Sequence, residues 1–270
     1  MLLGEEIRLN RLISDPSGKY LGITVDHAMA RGVLPGLEHI DQLIEEIVKG
    51  RPDALTMHKG LAEYCYHKHA GKVPLVVKCT TFSPVHPKKD VPVCTVEEAV
   101  ALGAEAISVG AILLGEHQES QLENLGRLAG QAHKVGMPVL AHIYPRGLED
   151  PKEWRKPDNL KYAVRAGAEL GVNLVKTMYT GDILSFATVV QSTPAKVAVA
   201  GGDAGLHSVS ECLQLARDVI DAGGVGITFG RCIFQYEKPA NLIKALAKVI
   251  HDNYSVKDAV DYLEEINHQN

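Results

Sequence analysis

Short apolar runs alternate with amphipathic stretches along almost the whole chain. The runs fall at residues 21–25, 53–57, 73–77, 105–109, 137–143, 172–176, 195–199 and 225–229, and β-branched residues are frequent in them. Runs of this length and character predict strands buried on both faces. The stretches between them carry a helical period. In residues 38–49 apolar side chains fall at 40, 43, 44, 47 and 48, which predicts a helix with one apolar face. Helix boundaries are legible as well. Thr95-Val96-Glu97-Glu98 is a capping box. Gly136, Gly171 and Gly223-Gly224 stop the helices predicted at 119–135, 157–170 and 208–222. Further helices are expected near 61–68, 183–192, 239–250 and 255–266, and residues 7–13 form a short amphipathic piece. A longer connection, 79–92, holds three prolines and a turn-like Lys88-Lys89-Asp90.

Eight apolar strands alternating with helices over about 250 residues match a closed (β/α)8 barrel, the α/β architecture also called a TIM barrel. The predicted strand ends lie near residues 26, 58, 78, 110, 144, 176, 200 and 230. A doubly wound open sheet is the alternative, but no GxGxxG follows the first strand. No linker-like or low-complexity stretch divides the 270 residues. One barrel domain over 1–270 is therefore expected, with a short N-terminal segment and a C-terminal helical extension.

Composition narrows the partners. A hydrophobic content of 46% suits a globular protein with a sizeable core. The net charge of -5 is spread out, with no basic footprint for nucleic acid and no basic amphipathic helix for a membrane. No apolar run approaches a membrane span. The five cysteines, Cys65, Cys79, Cys94, Cys212 and Cys232, form no CxxC pair and are odd in number. That points to reduced thiols in a cytoplasm, not to a disulfide framework or a structural zinc site. Residues 1–10 lack the cationic and then apolar plan of a signal peptide.

In a (β/α)8 barrel the chemistry gathers at the C-terminal ends of the strands. The residues there are Asp26, His27, His58, Lys59, Lys78, Tyr144, Arg146, Lys176, Gly201, Gly202 and Arg231. Lys176 closes the apolar run Val172-Asn173-Leu174-Val175. A buried ammonium is costly unless it is paired or neutral, and a neutral amine attacks carbonyls. Two readings stand for Lys176: a nucleophile, or half of a structural ion pair with a rim carboxylate such as Asp26 or Asp182. Lys78 is a rival, because it also closes an apolar strand. Tyr144 is held by Pro145 and Gly147 and could move a proton at a carbinol oxygen, or it could cap the core. Asp26 could be a base, an orienter of the lysine, or a turn cap. Gly201-Gly202 and Gly230-Arg231 follow the seventh and eighth strands, where this fold binds phosphate. Glycines admit backbone N–H groups to phosphate oxygens and arginine pairs with them bidentately, although the same glycines could simply make tight turns. His27, His58 and His142 could gather a metal, but their spacing matches no zinc pattern. His67 and His69 lie on a helix expected to face outward.

Several of these pieces form a recognisable set. It comprises Val25-Asp26-His27, Met57-His58-Lys59-Gly60, Ile143-Tyr144-Pro145-Arg146-Gly147, Val175-Lys176-Thr177 with Tyr179-Thr180-Gly181-Asp182, Ala200-Gly201-Gly202, and Gly230-Arg231 with Ile233-Phe234-Gln235. The set resembles the archaeal-type class I fructose-bisphosphate aldolases. That group is related to 2-amino-3,7-dideoxy-D-threo-hept-6-ulosonate synthase and to the deoxyribose-phosphate aldolases. The likeness runs from about residue 21 to 251, and its YPRG and VKTxYTGD pieces are specific to the group. It implies that Lys176 forms a Schiff base with a ketose, that Tyr144 transfers a proton, and that Asp26 is the carboxylate beside the lysine. It implies that Gly201, Gly202, Gly230 and Arg231 bind phosphate, with His27 and Lys78 also on the substrate. It implies chemistry without metal or other cofactor, and assembly as pentameric rings paired into decamers. The sequence also departs from the group. His142 stands where sugar aldolases can carry tryptophan, and Gly202-Asp203-Ala204-Gly205 replaces the usual Gly-Gly-Pro-Lys. Lys78 resembles the sugar aldolases, whereas His58-Lys59-Gly60 and Leu125-Gly126-Arg127 resemble the heptulosonate synthase branch.

The expected activity is that of a lyase of glycolysis and gluconeogenesis: cleavage or formation of fructose 1,6-bisphosphate from dihydroxyacetone phosphate and glyceraldehyde 3-phosphate. The alternative is the same imine chemistry used for transaldol transfer onto an amino-acid semialdehyde. From other classes come a metal-dependent lyase or hydrolase built on the histidines, and a phosphosugar-binding protein without catalysis.

Overall fold

The structure is a computed structural model and describes residues 2–201 and 208–269. Eight strands close into a parallel barrel: β1 (Tyr20–Thr24), β2 (Ala54–Met57), β3 (Leu75–Lys78), β4 (Ala106–Ile112), β5 (Val139–Tyr144), β6 (Leu174–Thr177), β7 (Lys196–Ala200) and β8 (Gly226–Phe229). Each strand pairs with its sequence neighbours, and β8 closes the ring on β1. This is the expected (β/α)8 architecture.

The strands alternate, and the alternation builds two cores. Outward residues such as Ile23, Leu55, Val77, Val109, Val175, Val199 and Phe229 pack under the surrounding helices. Inward residues of the lowest layer, Tyr20, Ala54, Val76, Ala106, Leu140, Leu174 and Ala198, form a separate apolar plug with Leu12. Leu12 ends the helix Leu3–Leu12, which seals the barrel floor and begins earlier than the amphipathic piece expected at 7–13. Polar bonds fasten it: Arg8 donates to the Gly136 carbonyl at 2.9 Å, and Asn173 donates to the Glu5 carboxylate at 2.7 Å.

Two residues further along six of the strands, the inward positions turn polar: Thr56 on β2, Lys78 on β3, Ser108 on β4, His142 on β5, Lys176 on β6 and Thr228 on β8, all buried. Apolarity along most of each strand, as expected from the sequence, therefore holds for the outward face and the floor only. The upper interior is a polar chamber.

The capping box at Thr95 forms as expected, with the Glu98 N–H on the Thr95 hydroxyl and the Glu98 carboxylate on the Thr95 N–H. Elsewhere the helices depart from the simple pattern. The one expected near 61–68 starts at Lys59 and loosens into a π turn, Ala62–Tyr66, and a 3-10 turn, His67–His69. The polar segment before the helix Pro157–Glu169 is itself a 3-10 turn, Pro151–Arg155. Within the proline-containing connection after β3, Thr80–Thr81 pairs antiparallel with Val91–Pro92. That ribbon folds back over the barrel mouth.

Candidate active site

At the C-terminal mouth a cavity opens that is lined by Asp26, His27, Lys78, Tyr144, Lys176, Gly201, Gly230 and Arg231. The residues to which the resemblance gives a role meet here, except Gly202, which lies outside the described residues. His142, Arg31, Arg146 and Asp90 line the same cavity.

Lys176 sits on β6 opposite His142 of β5 and Ala198 of β7 in the strand register. It is 6% exposed. Burial disfavours its ammonium, and the charges of Lys78, Arg146 and Arg231 act in the same direction. Asp26 pulls the other way, and the balance leaves the pKa lowered to about 8. Asp26 makes no ion pair with Lys176. Its carboxylate takes the Thr24 hydroxyl and lies 3.5 Å from His27 Nδ1 and 3.9 Å from His142 Nδ1. Asp182, the other proposed pairing partner, is turned to the helix Ile183–Gln191 and accepts the Leu184 N–H at 2.9 Å. Neither carboxylate named as an example thus forms an ion pair with Lys176.

Burial alone would raise the Asp26 pKa, yet the positive groups around it hold the carboxyl well below its usual range. The histidines are not the cations at neutral pH. Burial lowers His27 to about 4 and takes His142 well below its ordinary value. The lysines are left to hold Asp26 ionised. The site therefore combines an ionised carboxylate, two neutral imidazoles and an amine poised near neutral pH, which is the makeup of acid–base and nucleophilic chemistry.

Tyr144 ends β5, partly exposed to the cavity, with the Arg146 guanidinium 4.9 Å above its ring. Arg146 also lies 5.5 Å over Trp154 of the 3-10 turn, so the YPRG corner is held by stacking. On the opposite side Gly230 opens the short helix Arg231–Phe234. A side chain at Gly230 would strike the His27 ring at 2.4 Å. Its glycine is needed for that packing whether or not phosphate binds. At Gly201 the closest approach is 3.3 Å, to the Phe229 ring.

Two strand-end residues named from the sequence stand apart from this cavity lining. Lys59 turns outward and pairs with Glu98. His58 is buried beside β3, with Nδ1 3.2 Å from the Lys78 carbonyl. The described residues contain no group of three His, Cys, Asp or Glu side chains placed to hold a metal ion, so the set His27, His58 and His142 does not assemble as one.

Asp90 and Arg31 line the cavity without having been singled out in the sequence, and Asp90 comes from the less expected place. It was part of a turn in a long connection, yet the ribbon Thr80–Thr81 with Val91–Pro92 carries it into the barrel mouth, 5% exposed. The length of that connection and the acidic residue at its turn were the available signals. Burial raises the Asp90 pKa, against the opposing effects of Lys78 and the Thr80 hydroxyl.

A closed (β/α)8 barrel thus brings a desolvated lysine, a tyrosine and a carboxylate together at its mouth. The model of the DeoC/LacD family aldolases matches residues 21–236, and the chain belongs to that family of aldolases. It is 35% identical to a 2-amino-3,7-dideoxy-D-threo-hept-6-ulosonate synthase of Halobacterium salinarum, over 93% of this chain and 92% of that one. It is 29% identical to a 2-amino-4,5-dihydroxy-6-oxo-7-(phosphonooxy)heptanoate synthase of Streptomyces griseus, over 92% and 90% of the two chains. Among solved structures, it is similar to an archaeal fructose-1,6-bisphosphate aldolase whose catalytic lysine is covalently bound to the carbinolamine intermediate. That likeness has a TM-score of 0.80 and 27% identity, over 92% of this chain and 99% of that one. Among the described residues, no helix is long and apolar enough to cross a membrane.

Proposed function

We propose that the chain is a class I aldolase that forms a Schiff base between Lys176 and the ketone of a phosphorylated ketose. The observation that carries this reading is a buried amine with its pKa lowered to about 8, in one cavity with Tyr144, Asp26 and Arg231. The neutral Nζ adds to the ketone carbon, and the carbinolamine loses water to give an iminium. In fructose 1,6-bisphosphate the iminium at C2 takes up the electron pair of the C3–C4 bond, while Tyr144 removes the C4 hydroxyl proton. Glyceraldehyde 3-phosphate leaves. The remaining enamine takes a proton at C3, and water hydrolyses the new iminium to release dihydroxyacetone phosphate and the free amine.

Asp26 stays ionised, and its negative charge favours the cationic iminium on Lys176. Lys78 helps keep Lys176 neutral. Arg231 with the backbone at Gly201 and Gly230 holds the ketose phosphate, and His27 lends a neutral imidazole beside it. This chemistry calls for no metal or organic cofactor. Fructose 1,6-bisphosphate stands first because of the likeness to the archaeal aldolase with its lysine-bound intermediate. The second reading, transaldol transfer through the same imine onto an amino-acid semialdehyde, is favoured by the 35% identity to the heptulosonate synthase.

Borohydride reduction with dihydroxyacetone phosphate, followed by peptide mass mapping, tests the common step. A stable adduct on the Lys176 peptide is expected. An adduct on Lys78, or none with several phosphoketoses, removes the assignment, and the latter is also what a phosphosugar-binding protein without catalysis would give. Turnover indifferent to EDTA separates this chemistry from a metal-dependent lyase. Turnover with glyceraldehyde 3-phosphate against that with an amino-acid semialdehyde decides between the two substrate readings.

A further inference from the structure

Asp90 is a carboxyl group inside a cavity otherwise rich in cations. Its place is built from three sides. The Gln121 side chain braces its backbone, accepting the Asp90 N–H at 3.2 Å and donating to the Asp90 carbonyl at 3.0 Å. Thr80 accepts the Gly110 N–H at 2.6 Å and donates its hydroxyl to Asp90 Oδ1 at 2.9 Å. Gly110 leaves the room: a Cβ there would lie 2.3 Å from Oδ1 and 2.7 Å from Oδ2. The Thr80 hydroxyl is the one hydrogen-bond donor that reaches the carboxyl among the described residues. Asp90 Oδ2 accepts no hydrogen bond from the described residues and borders the cavity, where a bound ligand can supply the donor in place of solvent.

The position in the ring says which part of the substrate it meets. In barrel order, Arg231 and Gly230 follow β8, Gly201 follows β7, Lys176 is on β6, Tyr144 is on β5, and Asp90 covers Gly110 of β4. A ketose chain laid along this arc has its phosphate at β8, its ketone at Lys176 and its C4 hydroxyl at Tyr144. The next atoms belong to the aldehyde half, and they fall at Asp90.

We propose that Asp90 is the residue that selects the aldehyde: its carboxyl takes an O–H or N–H donor from the aldehyde's own chain, so that hydroxy- and amino-aldehydes are preferred to unsubstituted ones. This rests on the Schiff-base reading of Lys176. Burial holds the carboxyl toward its neutral form, which suits it to exchange hydrogen bonds with a hydroxyl; an incoming ammonium would instead ionise it.

The test uses dihydroxyacetone phosphate as donor and three aldehydes: glyceraldehyde 3-phosphate, aspartate 4-semialdehyde and propanal. The wild-type enzyme is expected to favour one of the first two over propanal by about tenfold to a hundredfold in kcat/KM. Which of the two leads tells hydroxyl from ammonium recognition. In Asp90→Ala that ratio is expected to fall to near one. Gly110→Ala, which displaces the carboxyl, is expected to lower it likewise. A wild-type enzyme that does not discriminate overturns the proposal, even if neither variant folds. Variants that keep the wild-type ratio overturn it too. If borohydride traps the Lys176 adduct but no aldehyde is accepted, Asp90 has no such role. If no adduct forms on Lys176, the aldolase reading itself fails and the proposal with it.

Discussion

Lys176 and His142 are register partners on neighbouring strands, β6 and β5, and both face the polar chamber. Burial drives each of them toward its neutral form, and the charge of Lys176 further disfavours an imidazolium at His142. Of these two adjacent bases, the lysine is the one that binds the proton. His142 remains an uncharged neighbour whose Nε2 lies 3.1 Å from the Ser108 hydroxyl. The lysine therefore has a polar neighbour that neither neutralises nor repels it, and its basicity is left to burial, Asp26, Lys78, Arg146 and Arg231.

With its pKa lowered to about 8, roughly a tenth of Lys176 is free amine at pH 7 and roughly nine-tenths at pH 9. The single-turnover rate of adduct formation with dihydroxyacetone phosphate is expected to rise about tenfold between those pH values and then level off. Lys176→Met is expected to lower kcat/KM by at least about a thousandfold while keeping the circular dichroism of the wild type. A flat profile from pH 7 to 9 would contradict the poised amine.

Lys78 and Asp26 push the Lys176 pKa in opposite directions. Removing the Lys78 charge in Lys78→Met relieves repulsion, so the inflection is expected to move to higher pH. Removing the Asp26 charge in Asp26→Asn takes away the attraction that favours the ammonium, so it is expected to move to lower pH. The same adduct-formation profile measures both. Shifts of the same sign in the two variants would mean that neither charge acts on Lys176 directly.

The outer shell of this fold was legible because its forces are local and repetitive. Outward residues such as Ile23, Val77 and Val175 read as strands, and Gly136 and Gly171 stop helices where expected, at φ of 62° and 86°. Lys176, Tyr144 and Asp26 were legible because a barrel brings its strand ends to one rim. What stayed hidden depends on direction. Lys59 follows a strand as Lys78 ends one, yet Lys59 turns to Glu98 outside and Lys78 points inward. Asp90 reaches the site through a ribbon whose pairing joins residues 80–81 to 91–92, and no periodicity announces a two-residue pairing.

Gly230 makes a separate prediction about packing. In Gly230→Ala the new methyl would meet the His27 ring at 2.4 Å and the Thr24 carbonyl at 3.0 Å. The imidazole can yield only by leaving its edge contact with Phe234, whose ring centre is 5.2 Å away. Overpacking of this kind costs about 1–3 kcal/mol, to be read from the urea midpoint at unchanged slope. The same shift disturbs the proposed phosphate loop, so KM for the phosphoketose is expected to rise as well. A substitution neutral in both measurements would show that the loop has slack the geometry does not reveal.

The barrel floor carries a pH-dependent tie far from the chemistry. His251 caps the helix Pro239–Ile250, and its Nε2 lies 3.1 Å from an Asp53 oxygen that also accepts the Leu21 N–H at the start of β1. Its Nδ1 lies 3.5 Å from Asp15 and 2.9 Å from the Ser17 hydroxyl. Burial opposes the imidazolium, but the hydrogen bond and charge of Asp53, with Asp15 and Asp252, outweigh it and raise the pKa. A raised folded-state pKa means that the folded protein holds this proton more tightly than the unfolded chain does. The stabilisation is therefore complete below the unfolded value of about 6.5 and is lost as pH rises through the folded one. Urea unfolding of the wild type and of His251→Gln should show the largest difference in midpoint near pH 6, shrinking by pH 8.5. A difference that stays constant over that range would assign His251 a packing role, and one that grows would reverse the sign of the coupling.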